Sequence, residues 1–109
     1  MSADDPVPPY KLTLSDLTRE TIRRLIHRSF VLGVRNHFVK SLADIESALQ
    51  NQPLAWGDPY DTRPALRHVR YRRIYDQLLV RYAVHQDQPV VWLTNLAPIL
   101  RHPLSAGEG

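Results

Sequence analysis

The stretch RPALRHVRYRRIYDQLLVRYAVHQDQPVVWLTN, residues 63–95, decides how this chain folds. An arginine-rich run leads into two apolar runs, LLVRYAV (78–84) and PVVWLTN (89–95), with the polar spacer HQDQ between them. Side chains on a strand alternate between two faces, so this patterning predicts a sheet with one apolar face and one that carries arginine. Three strands are expected here, roughly Leu66 to Arg73, Gln77 to His85 and Pro89 to Leu96, joined by spacers short enough for antiparallel hairpins.

Parity then sorts the side chains. In the first of these strands Val69 and Tyr71 fall on one side, and His68, Arg70 and Arg72 on the other. In the next, Leu78, Val80, Tyr82 and Val84 form the apolar set and Leu79, Arg81, Ala83 and His85 alternate with them, which places Arg81 with Arg70 and Arg72. The last strand is apolar at nearly every position from Val90 to Leu93, and its pattern leaves its parity open. Arginine suits a phosphate-binding surface because its planar fork grips phosphate oxygens in pairs and stacks on bases; Tyr71 and Trp92, where exposed, would add stacking. The competing reading is a solvated face whose arginines pair with Asp58, Asp61, Asp76 and Asp87.

Upstream, YKLTL (10–14) alternates like a short strand and meets Ser15 and Asp16, both good helix N-caps. A helix from Ser15 to about Leu32 follows, with apolar positions at Leu17, Ile22, Leu25, Ile26 and from Ser29 to Leu32. Gly33 breaks it. A second helix from about Val34 to Gln50 carries the stripe Val34, Phe38, Leu42, Ile45 and Leu49. The segment PLAWGDPYDTRP (53–64) holds three prolines and a glycine, so it is expected as an irregular connection pinned to the core by Trp56 and Tyr60. The order β-α-α-β-β-β is an α+β fold, with a helix pair on one face of a small antiparallel-rich sheet and the other face left open.

A length of 109 residues with 43% hydrophobic content fits one domain, expected over residues 10–104, with disordered tails at 1–9 and 105–109. The net charge of +3 leans only weakly toward anionic partners. Absence of cysteine excludes disulfides and thiolate metal sites and fits a cytoplasmic protein. No apolar run approaches the roughly 18 residues of a membrane span, and the start of the chain does not read as a signal peptide. His27, His37, His68, His85 and His102 show no helical H-x-x-x-H spacing, and the four glycines form no phosphate loop, so neither metal nor cofactor is expected.

The element order, the phrase LQNQPLAWGDPY (49–60) and the runs LLVRYAV and PVVWLTNL together resemble the RelE/ParE toxin superfamily over about Tyr10 to Arg101. The resemblance implies a helix pair on a small antiparallel sheet and, as partner, an antitoxin that wraps the toxin. In the ribonuclease members, basic residues on the open sheet face bind messenger RNA within the ribosome, and a tyrosine or histidine near the C-terminus assists cleavage by the RNA's own 2′-hydroxyl. By position, Arg70 and Arg72 match the basic pair, and Arg101 with His102 match the basic residue and acid/base after the last strand. Where many members carry an arginine early in the LLVRYAV-type strand this chain has Leu79, and its arginine comes two positions later at Arg81. ParE-like members instead poison DNA gyrase and generally lack the ribonuclease residues. Three readings stay open: a RelE/ParE-like toxin directed at RNA on the ribosome or at gyrase, a non-catalytic binding module on the same fold, and an RNA-binding domain without cleavage.

Overall fold

The computed structural model describes residues 9–99 and 103–105, and within them the chain is α+β. Strand β1 (Lys11–Leu14) leads into helices α1 (Asp16–Val31) and α2 (Arg35–Asn51). A helical turn, α3 (Pro53–Trp56), then precedes β2 (Asp58–Arg63), β3 (His68–Tyr75), β4 (Leu78–His85) and β5 (Val90–Pro98). All five strands form one sheet in the order β1-β5-β4-β3-β2. From β2 to β5 the chain is an antiparallel meander, and β1 completes the sheet by running parallel to β5. Of the expected tails, Pro9 precedes β1 and Ser105 ends a 3-10 turn, Pro103–Ser105; the remainder lies outside the described residues. No helix among the described residues is long and apolar enough to cross a membrane.

Local chemistry explains the helix ends. Ser15 caps α1 by accepting a hydrogen bond from the Thr18 amide at 3.1 Å. At the other end Gly33 takes φ +75, with Gly33 N–H donating to Phe30 O at 3.1 Å and Val34 N–H to Ser29 O at 2.9 Å. That paired closure needs a residue free to adopt the left-handed conformation. On α1 the buried positions are Thr18, Leu25 and Ser29, while Leu17, Phe30 and Val31 are 78%, 69% and 67% exposed. The apolar positions of α1 thus do not share one buried face: one residue is about 100° of helix turn, which rotates Leu17 and Phe30 off the buried line through Thr18 and Ser29. On α2 the stripe holds, with Phe38, Ile45 and Leu49 buried and Val34 and Leu42 packed beside them.

The proline-rich connection is also corrected, since 53–64 contains both α3 and β2. Each proline sits where a missing N–H is tolerated: Pro53 opens α3, Pro64 opens a 3-10 turn, and Pro59 lies in the edge strand beside the register shift between Pro59 and Asp61. The last strand runs on to Pro98 rather than stopping at Leu96. Between β3 and β4 the chain reverses through Asp76 and Gln77, both at positive φ (51 and 62), the backbone of a two-residue hairpin turn that matches strand twist. The Asp76 carboxylate is held from α2 by Ser41 and by His37 Nε2 at 2.7 Å, which ties the hairpin tip to the helix layer.

Helices and sheet meet in one core. Leu25, Phe38, Ile45 and Leu49 pack against Tyr71, Leu78, Val80, Tyr82, Val84, Val91, Leu93 and Leu96. Tyr71 and Tyr82, paired across β3 and β4, stack with centroids 5.2 Å apart and planes within 8°. Burial pushes the Tyr82 hydroxyl up to about 12. It donates to Pro53 O at 2.5 Å and accepts from Gly57 N–H at 2.9 Å, so this buried polar atom is fully used.

Candidate functional site

Strand register fixes what occupies the face away from the helices. Directly opposed residues on neighbouring strands point to the same side. Arg72 lies across from Arg81, Arg70 from Ala83 and His68 from His85. On the β2 side, Asp58 opposes Arg72, Asp61 opposes Arg70 and Arg63 opposes His68. On the β5 side, Asn95 opposes Arg81 and Trp92 opposes Ala83. β1 adds Lys11 and Thr13, which align with Val90 and Trp92. The three central arginines expected to converge, Arg70, Arg72 and Arg81, are therefore together on one face. Arg101 and His102 lie outside the described residues.

Their environments differ. Arg63 Nε donates to Asp61 Oδ2 at 2.7 Å, and Arg70 reaches the same carboxylate oxygen at 4.0 Å. Arg72 sits 5.4 Å from the ring centroid of Tyr60. Among the described residues neither Arg72 nor Arg81 makes an ion pair, and both are exposed. An aspartate pair of the kind the competing reading names is present for Arg70, with Arg63 on the same carboxylate, while Arg72 and Arg81 stand exposed without one among the described residues. Like charges directly opposed on adjacent strands repel, and an anion lying between them relieves that repulsion.

Not every arginine of the run belongs here. Arg73 points to the helix side, where its guanidinium lies 4.9 Å over Trp56 and donates to Trp56 O at 2.5 Å. Arg67, in a turn at positive φ, is bound to Asp87, whose carboxyl that contact holds below its ordinary value.

Two aromatic assignments change. Tyr71 is buried against Tyr82 and offers no stacking surface, because its parity is that of the core. Tyr60, expected to pin the connection to the core, is instead 39% exposed beside Arg72. Trp92 does lie on the open side, tilted against His68 and His85 with centroids 6.0 and 6.1 Å away. These rings help to explain why Ala83, on the face away from α1 and α2, is only 1% exposed. Burial first, then the charges of Arg70 and Arg63, hold the His68 imidazole below its ordinary pKa, so it is neutral near pH 7. Arg63 and Tyr60 joined the face unannounced, because reading 53–64 as a loop gave them no parity.

Compared with protein-family models, with curated proteins and with solved structures, the chain matches none.

Proposed function

We propose that the open sheet face binds the sugar–phosphate backbone of single-stranded RNA, and that the protein acts as a RelE/ParE-like toxin directed at RNA on the ribosome. The observation that carries this reading is the exposed pair Arg72 and Arg81, opposed across β3 and β4 without a carboxylate partner among the described residues. Arg70 and Arg63 extend the positive face, and Tyr60 and Trp92 give it aromatic surfaces on which bases stack. The order strand, helix, helix, meander agrees with what the family resemblance implies for the domain. On this reading Arg70, Arg72 and Arg81 hold the RNA and stabilise charge during cleavage, and Arg101 and His102 supply the basic residue and the acid/base group after the last strand. The partner is an antitoxin. The exposed apolar side chains Leu17, Phe30, Val31 and Leu32 on and just after α1 are of the kind that a partner protein covers.

Induced expression in a bacterial host tests the reading. Arrest of translation, relieved by Arg72→Ala with Arg81→Ala, is the expected result. Harmless expression at high level sinks it, and arrest with intact messenger RNA but inhibited gyrase moves the target to the topoisomerase.

A further inference from the structure

Beyond the arginines, the open face contains a cleft of about 420 Å³ lined by Ser15, Leu66, His68, Ala83, Trp92, Leu93 and Thr94. That volume lies within the roughly 300–1,000 Å³ of clefts that take small organic groups. Its walls are mainly apolar and aromatic, while the adjoining surface is cationic. Two polar atoms on this side of β3, His68 Nε2 and Arg70 Nε, are shielded from solvent and have no hydrogen-bond partner among the described residues. Buried polar atoms of this kind are uncommon, and His68, which carries one of them, lines the cleft.

We propose that this cleft is a nucleobase pocket, which takes one unpaired base of a single-stranded RNA against Trp92 while the adjoining phosphate lies along Arg70 toward Arg72 and Arg81. The proposal rests on the RNA-binding reading and adds to it a site that contacts the base itself. His68 and Arg70 are two residues apart on one strand, so their side chains rise from the same face about 7 Å apart. This separation suits the two ends of a single nucleotide. An indole offers a flat, polarisable wall that accepts any base. The neutral His68 imidazole gives the base edge a hydrogen-bonding group without adding a further cation. Leu66, 59% exposed in the 3-10 turn before β3, forms the outer lip.

The test compares binding of two labelled strands of equal length by fluorescence anisotropy, a short single-stranded RNA and the same ribose–phosphate chain without bases. The wild-type protein is expected to bind the base-bearing strand about tenfold more tightly or better, as stacking of one base implies. Trp92→Leu should remove most of that preference while leaving affinity for the abasic chain nearly unchanged. Leu66→Ser, at an exposed position that does not endanger folding, should reduce the preference about threefold. Equal binding of both strands by the wild-type protein overturns the pocket but leaves the phosphate-binding face standing. A Leu66→Ser variant with undiminished preference also overturns it. Failure to bind either strand overturns the pocket and the RNA-binding reading together.

Discussion

The two faces of strands β3 and β4 are built from alternate residues of the same segment, yet they obey opposite rules. On the covered side Tyr71 and Tyr82 stack, Val80 and Leu78 are fully buried, and the Tyr82 hydroxyl has both a donor and an acceptor partner. One residue along, Arg81 faces Arg72 in the open, and among the described residues neither makes an ion pair, although Asp58 opposes Arg72 on the β2 side. Burial drives the first face, and every polar atom there must be satisfied for it to stabilise. The second face gives up a little stability by opposing like charges, a state that makes sense where an anion completes it.

Substitutions on the two faces should therefore separate stability from binding. The largest effect is expected for Tyr82→Ala, which removes a fully buried ring and should lower unfolding stability by about 3–5 kcal/mol in a denaturant titration. Alkaline pH probes the same side chain. A tyrosine in the unfolded chain titrates near 10. Because the folded pKa is raised, to about 12, the folded state holds its proton more tightly; this contribution is complete below pH of about 10 and is lost as pH climbs through about 12. The loss should approach about 3 kcal/mol, and Tyr82→Phe should flatten that limb of the pH–stability curve.

A smaller loss, about 1–3 kcal/mol, is expected for Gly57→Ala, since a Cβ there would lie 2.6 Å from the Tyr82 hydroxyl and 3.1 Å from Arg72 O. Thermal melts would detect it, and an unchanged melting temperature would mean that the loop can shift away from Tyr82. At the bottom of the scale, Arg81→Ala should move stability by less than about 0.5 kcal/mol, in the stabilising direction if repulsion with Arg72 is felt. The same change should weaken binding to single-stranded RNA and lower the slope of log K against log salt by about 0.7 for the phosphate contact removed. Large destabilisation by Arg81→Ala would break the comparison between the faces.

How much of this was legible beforehand follows from which residues alternate cleanly. The faces of β3 and β4 were readable from Val69 to Val84, because apolar and charged residues exchange there at period two, and Arg70, Arg72 and Arg81 were placed together on that ground. β5 was not readable: Val90 to Leu93 is apolar on both sides, and the register shift opposite Arg81 and Tyr82 changes the parity partway along. β2 was hidden by Pro59 within it and Pro64 just after it, since proline breaks most strands but is tolerated at a sheet edge. The exposure of Leu17 and Phe30 was not readable because hydrophobicity alone does not report a helix's rotation. The pocket beside Trp92 had no signature, since its walls come from α1's cap, a 3-10 turn and three strands.

The parallel pairing of β1 with β5 has a consequence for how the molecule is assembled. Hairpins β2–β3, β3–β4 and β4–β5 join neighbours in the chain and close short loops, whereas Lys11 can meet Val90 only after both helices and the other strands have been traversed. During synthesis β1 waits without its partner until β5 has left the ribosome. Long-range closure of this kind is the slow step in small mixed folds, so joining β1 to the sheet is expected to come late, with the Tyr10 amide binding Gln50 O to clasp the helix layer against the finished sheet.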